Sequence, residues 1–161
     1  MSQPPIADLC DDLGERAKVL PGPFQRFTGV ESFQGPIELL QLEGRDQALK
    51  DILSTPGHGR VVVVKVLGEA PVAVFGDGIA QRAEANGWAG VVILGHVRDA
   101  ALIAPRKVGV LARGTYPRIA RDGAHGLEVP RLTIDGVTFQ RGEVLVADAD
   151  GVIVVPADAL G

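Results

Sequence analysis

The sequence has little that would support an extracellular, membrane-spanning or nucleic-acid-binding protein. Its only cysteine, Cys10, has no partner for an internal disulfide. No apolar run approaches the roughly 20 residues needed to cross a bilayer. The N-terminal segment carries acids where a signal peptide would have a basic start and an apolar core. A net charge of -4 offers no basic field to a nucleic-acid backbone. We therefore expect a cytoplasmic protein that binds neither membranes nor nucleic acid directly.

Aromatic residues are also scarce, at 4% of the chain, whereas hydrophobic residues make up 46%. The interior must therefore be built from Val, Leu, Ile and Ala, which is a composition typical of α/β proteins. A chain of 161 residues is long enough for one domain with one core, so we expect a single domain over residues 1–161.

Apolar periodicity predicts strands and helices that alternate in the middle of the chain. Continuous apolar runs at residues 61–64 and 91–94 predict two strands covered on both faces, the first at the centre of the sheet. Between them, Ile79, Ala80 and Ala83 share one face of a predicted helix. Each strand is followed by a loop, and α/β proteins commonly build their sites at such strand ends.

The outer parts of the chain carry weaker signals. The spacing of apolar residues predicts a first helix from Ile6 to about residue 19. Residues 115–130 are rich in Gly, Pro and charge and are predicted to form a long loop. Asp135-Gly136, between alternating residues, predicts a hairpin.

The first candidate site segment is the Gly-flanked turn around Asp77, which leads into the predicted helix. The free N–H groups of a first helical turn, together with the helix dipole, can hold a carboxylate or a phosphate. The alternative is that Asp77 simply caps the helix and that Gly76 and Gly78 relieve the geometry of the turn.

The second candidate segment is Arg98-Asp99, a cation and an anion that follow a buried strand. The guanidinium offers a fork for an oxyanion, and the carboxylate is a hard oxygen ligand for a divalent metal. A surface ion pair or another helix cap is the alternative. His96 lies in the same loop, where it would line a pocket or act as a hydrogen-bonded structural residue.

Several motifs occur in order along nearly the whole chain: GD-x-(I/L)-A, NGW-x-G-(I/V)-V, G-x-VRD, GT-x-PR and ADxDGV-x-VVP. This series resembles the RraA-like family (regulator of ribonuclease activity A) and the related 4-hydroxy-4-methyl-2-oxoglutarate aldolases. The resemblance implies an α/β protein with a single three-layer β/β/α swivelling domain. It also implies a homotrimer with active sites near subunit contacts.

The resemblance further implies a class II, metal-dependent lyase that cleaves a carbon–carbon bond of a 2-oxo acid to give pyruvate, as an aldolase, an oxaloacetate decarboxylase or both. The divalent cation would be Mg²⁺ or Mn²⁺, held by Asp99 through waters. Arg98 would contact the substrate, and Asp77 would order a water or the substrate hydroxyl. The backbone amides implied to bind the substrate carboxylate belong to Gly76, Asp77, Gly78 and Ile79.

The same family implies an alternative function, in which the chain is a non-catalytic regulator that binds ribonuclease E or an RNA helicase through protein contacts. An acidic surface suits such an inhibitor. Three departures from the family pattern leave room for it or for an altered substrate: Lys65-Val66-Leu67 after the central strand, Leu102 after Asp99, and Ile119-Ala120 after the PR pair.

Overall fold

A computed structural model describes residues 3–121 and 123–160 of the chain. Its helices are α1 Ile6–Leu13, α2 Gln47–Leu53, α3 Asp77–Ala85 and α4 Ala100–Ile103, and a short 3-10 helix, Gly14–Arg16, follows α1. Its strands are β1 Lys18–Val19, β2 Gln25–Arg26, β3 Phe33–Gly44, β4 Val61–Val66, β5 Gly90–Val97, β6 Gly109–Thr115, β7 Ala124–Glu128, β8 Arg131–Ile134, β9 Val137–Gln140, β10 Val144–Asp148 and β11 Gly151–Val155.

The long strand β3 joins an antiparallel and a parallel part of one large sheet. Residues 33–36 of β3 pair antiparallel with β10, and residues 37–42 pair in parallel with β4. Strands β5 and β6 extend the parallel part. The order across the sheet is β1-β11-β10-β3-β4-β5-β6-β2, with β7 also paired to β3. Strand β4 is therefore central, as the sequence predicts.

The valines of β4 face two separate cores. Val62 and Val64 pack with buried residues of α2 and α3 on one face of the parallel strands. Val61 and Val63 pack on the other face against β10, β11 and the β8–β9 hairpin. Helix α1 covers the outer side of β10 and β11. This arrangement confirms the α/β class and the three-layer β/β/α architecture.

Local chemistry accounts for the elements that were predicted correctly. Ile79, Ala80 and Ala83 are the buried face of α3. The β8–β9 hairpin turns at Asp135 and Gly136, whose φ values of 49° and 82° lie in the left-handed region that Asp and Gly tolerate. Within residues 3–121 and 123–160, no helix is long and apolar enough to span a bilayer.

Two predictions for the outer parts of the chain were wrong. The first helix ends at Leu13, because Gly14 adopts φ 56°, and after the 3-10 turn the chain continues as β1, which pairs with β11. The segment 115–130 is not all loop, because β7 pairs antiparallel with the end of β3. Both errors concern short strands whose pairing partners are remote in sequence.

Candidate active site

The segment before α3 lies alongside the end of β5, and this contact brings the two candidate segments together. The Val74 N–H donates to the His96 carbonyl at 3.0 Å, and the Arg98 N–H donates to the Phe75 carbonyl at 2.9 Å. Gly76 and Asp77 follow on one segment, and Asp99 follows on the other. The GD turn and the Arg98-Asp99 loop therefore meet at the carboxyl end of the parallel sheet.

The side chain of Asp99 also joins the two segments. Its Oδ2 accepts a hydrogen bond of 3.1 Å from the Asp77 N–H. Asp99 itself adopts a left-handed conformation, φ 63° and ψ 35°, directly before α4, and its side chain does not cap that helix. Its carboxylate instead satisfies one of the unpaired N–H groups at the start of α3.

Gly76 leaves the space that this contact needs. A Cβ at Gly76 would lie 2.7 Å from Asp99 Oδ2 and 3.7 Å from Arg98 Cγ. The backbone of Gly76 is extended, with φ -149°, so the requirement for glycine comes from close approach and not from its dihedral angles. Both side chains of the Arg98-Asp99 pair therefore lie against the GD turn.

The next amides of the turn remain available to a ligand. Among the described residues, the N–H groups of Gly78 and Ile79 have no hydrogen-bond acceptor, as expected in a first helical turn. The half-buried Arg98 has no carboxylate partner for its guanidinium in the same part of the chain. Unpaired amides at the positive end of a helix and an unpaired guanidinium favour a bound anion.

The Asp77 carboxylate is engaged elsewhere. Arg106 donates to it twice, from Nε to Oδ1 at 2.9 Å and from a second guanidinium nitrogen to Oδ2 at 3.2 Å. The hydrogen bond from Arg106 is the main reason that the pKa of Asp77 lies below its ordinary value. Asp77 therefore does not cap α3 with its side chain, which excludes the simple capping interpretation.

Arg106 also contacts Glu84 on α3, at 3.5 Å. Neither Arg106 nor Glu84 was singled out in the sequence, because a basic residue after a short helix carries no sign of its acidic partner. The seven-residue separation of Asp77 and Glu84 places both on one face of a helix, which was the only available signal.

The donor set at the site suits a hard and largely hydrated cation. Asp99 is exposed, and its Oδ1 has no hydrogen-bond partner among residues 3–121 and 123–160. No group of three His, Cys, Asp or Glu side chains converges on one point within the same residues. One carboxylate oxygen with waters and substrate oxygens is a ligand set that Mg²⁺ accepts, whereas a structural zinc site would need four protein ligands.

The aromatic side chains of His96 and Trp88 have clear surroundings. The His96 ring is half-buried and packs edge-on against Tyr116, with 6.4 Å between ring centroids. Trp88 is a core residue, 3% exposed, whose Nε1 donates to the Thr55 carbonyl. Neither contact gives the side chain a place among the groups that face the GD turn.

The fold and the geometry define the class as a three-layer β/β/α protein that brings a turn with unpaired amides and a carboxylate together at its strand ends. The family model described as RraA-like, Aldolase/RraA, matches residues 6–154. The chain therefore belongs to the RraA-like family.

Two relatives that share most of the chain are named after an aldolase activity. A protein of Alkalilimnicola ehrlichii is 39% identical over 150 residues, which are 93% of each chain, and one of Laribacter hongkongensis is 37% identical over 93% of this chain and 94% of its own. Both are provisionally named 4-hydroxy-4-methyl-2-oxoglutarate aldolase.

Among solved structures, the RNA-processing inhibitor RraA from Thermus thermophilis is similar with a TM-score of 0.86 and 32% identity, over 96% of this chain and 94% of its own. A Geobacillus kaustophilus protein described as an S-adenosylmethionine:2-dimethylmenaquinone methyltransferase is similar with a TM-score of 0.89 and 37% identity, over 97% of each chain.

Proposed function

We propose that this protein is a divalent-metal-dependent lyase that cleaves a small 2-oxo acid to pyruvate, acting on 4-hydroxy-4-methyl-2-oxoglutarate, on oxaloacetate or on both. The observation that carries the proposal is the meeting of the Arg98-Asp99 loop with the GD turn, where Asp99 Oδ2 lies 3.1 Å from the Asp77 nitrogen. The names of the aldolase relatives support the same class of reaction.

Different residues of the site would bind the substrate carboxylate, the oxo group and the metal. The Gly78 and Ile79 N–H groups would donate hydrogen bonds to the carboxylate of the substrate, because they are unpaired within the described chain and lie at the positive end of α3. Arg98 would add a fixed positive charge beside the oxo group. Asp99 would hold Mg²⁺ or Mn²⁺ through Oδ1 and ordered waters.

Both reactions leave the same product fragment. In decarboxylation the bond between C3 and the C4 carboxylate breaks and CO2 leaves. The electron pair of that bond stays on the remaining fragment as pyruvate enolate, which a proton then converts to pyruvate. In aldol cleavage the bond between C3 and C4 breaks, and the C4 hydroxyl also loses its proton. The metal, when bound, supplies Lewis-acid stabilisation of the developing enolate oxygen. Arg98 would help to stabilise the same negative charge, because its guanidinium is already in place when the bond breaks.

The test is pyruvate release from each oxo acid, followed by NADH oxidation with lactate dehydrogenase, with Mg²⁺ and with a chelator. Because Mg²⁺ alone decarboxylates oxaloacetate slowly, the rate without protein is subtracted. Arg98→Ala is expected to lower kcat/KM by about 10²- to 10³-fold, the usual effect of removing one donor at a developing oxyanion. Asp99→Asn, which tolerates the left-handed backbone, is expected to abolish the stimulation by metal.

The exposed pair Arg16–Asp158, separated by 3.6 Å, provides matched controls. Arg16→Ala and Asp158→Asn make the same chemical changes away from the site and should leave both rates within about twofold, since exposed pairs contribute little. Absence of turnover, or equal rates in Arg98→Ala and Arg16→Ala, would contradict the proposal.

The second candidate function is regulation of RNA processing through a protein partner such as ribonuclease E or an RNA helicase. The similarity to the Thermus RraA over nearly the whole chain favours it. Inhibition of ribonuclease E cleavage that is unaffected by Arg98→Ala, in a protein without pyruvate release, would establish this function instead.

A further inference from the structure

Arg106 lies just beyond α4 and is not among the residues assigned to the site so far. Its N–H donates to the Ile103 carbonyl at 2.8 Å, and its side chain is 24% exposed. It belongs to none of the motifs that identify the family. Its guanidinium nevertheless contacts two acidic side chains of α3, those of Asp77 and Glu84.

Arg106 binds two acidic side chains on one face of α3. The guanidinium binds both oxygens of Asp77 and lies 3.5 Å from Glu84, two helical turns further on. The other oxygen of Glu84 accepts a hydrogen bond from the Lys107 N–H. A planar guanidinium that binds a carboxylate through two nitrogens sets its orientation as well as its position.

The short segment from Asp99 to Arg106 therefore holds Asp77 at both ends of the residue. Asp99 Oδ2 accepts from the backbone N–H of Asp77, while Arg106 donates to the carboxylate of Asp77. Between these two contacts lies only α4 and one turn. A shift of Asp77 would thus move the amides that follow it and also the carboxylate of Asp99.

We propose that Arg106 is a positioning residue, which fixes Asp77 and thereby aligns the Gly78 and Ile79 amides with the metal-binding carboxylate of Asp99. The inference rests on the proposed function, because it assigns Arg106 to the same site. It goes beyond that function by placing a determinant of metal and anion affinity outside the residues that touch either ligand.

The test compares Arg106→Ala, Arg106→Lys and Lys107→Ala in the full chain. Mn²⁺ affinity is measured from the EPR signal of the free ion, and the affinity for oxalate, a small planar dianion resembling pyruvate enolate, is measured by calorimetry with Mn²⁺ present. The ¹H–¹⁵N shifts of Gly78 and Ile79 report the position of the amides directly, and kcat and KM for oxaloacetate are recorded.

Arg106→Ala is expected to weaken Mn²⁺ and oxalate binding by about 10-fold or more, as loss of an outer-shell partner commonly does, and to shift both amide signals. Arg106→Lys should recover only part of the affinity, since an ammonium cannot reproduce the two parallel hydrogen bonds. Lys107→Ala keeps the backbone bond to Glu84 and should stay within about twofold.

Binding constants of Arg106→Ala within twofold of the parent, with only its thermal midpoint lowered, would reduce Arg106 to a structural residue and overturn the inference. If Arg106→Ala does not fold, Arg106→Gln is judged by the same criteria. A parent that binds Mn²⁺ and oxalate but releases no pyruvate would refute the proposed function alone, and the affinities would still decide the role of Arg106. A parent that binds neither would refute both.

Discussion

Gly76→Ala should separate the geometry of the site from the stability of the fold. A Cβ at this position would lie 2.7 Å from Asp99 Oδ2, whereas ordinary contact begins at 3.4 Å, so the carboxylate must move by about 0.7 Å. The extended backbone of Gly76 accepts alanine without strain. The new Cβ would meet the end of a flexible side chain, so the Asp99 carboxylate can move away without disturbing the core.

Two opposing effects keep the change in stability small. Loss of the hydrogen bond from the Asp77 N–H costs about 1 kcal/mol, as for other helix caps. Replacing glycine at an unstrained position restores about 0.4 to 1 kcal/mol by restricting the unfolded chain. The expected net change in unfolding free energy is therefore below about 1 kcal/mol.

The effect on activity should be much larger. Displacing the Asp99 carboxylate, which is proposed to bind the metal, by most of an ångström is expected to lower kcat/KM by about 10²-fold. Pyruvate release and thermal unfolding are measured on the same preparation, with Gly29→Ala as control, because a Cβ at Gly29 meets nothing within 4 Å. If Gly76→Ala retained kcat/KM within threefold of the parent, the assigned role of Asp99 would be wrong.

The remaining predictions concern the fold and are checked by thermal and urea unfolding. Glu38 is 6% exposed at its side chain and accepts hydrogen bonds from Arg60 at 2.7 Å and Arg141 at 2.8 Å. Arg60→Ala should destabilise by about 1 to 2 kcal/mol and by more than Arg141→Ala, whose side chain is 62% exposed, and equal effects would contradict this. Gly90→Ala would place a Cβ 2.4 Å from the Phe33 ring and should cost about 2 kcal/mol. Combined with Phe33→Ala, it should cost less than the sum by at least about 1 kcal/mol, and strict additivity would refute the steric reasoning.

The central part of the fold could be predicted because its residues carry strong local patterns. Val61 to Val64 are apolar without interruption, and that pattern requires cover on both faces of a strand. The two-residue strand β1 and the edge strand β7 carry no such pattern. They form because β11 and the end of β3 offer unpaired backbone groups, and this information lies far away in the sequence.

The sequence motifs predicted which two segments form the site but not how their side chains are oriented. The order of GD and RD along the chain indicated two strand-end segments, and the structure brings Asp77 and Asp99 into contact. The direction of each side chain was not predictable. Asp99 precedes α4 yet caps α3, and the carboxylate of Asp77 turns toward Arg106, 29 residues further along the chain.

The partner of Asp77 bears on which of the two proposed reactions the site would perform better. Aldol cleavage requires a group that accepts the hydroxyl proton, whereas decarboxylation of oxaloacetate requires none. A carboxylate that already accepts two hydrogen bonds from Arg106, with its pKa lowered by that contact, is a weak base near neutral pH. In the proposed aldol cleavage the proton would therefore pass to water or to another group, and that step would slow cleavage of the hydroxylated substrate but leave decarboxylation unaffected. We therefore expect the higher kcat with oxaloacetate, and a faster turnover of 4-hydroxy-4-methyl-2-oxoglutarate would show that the Arg106–Asp77 pair opens when substrate binds.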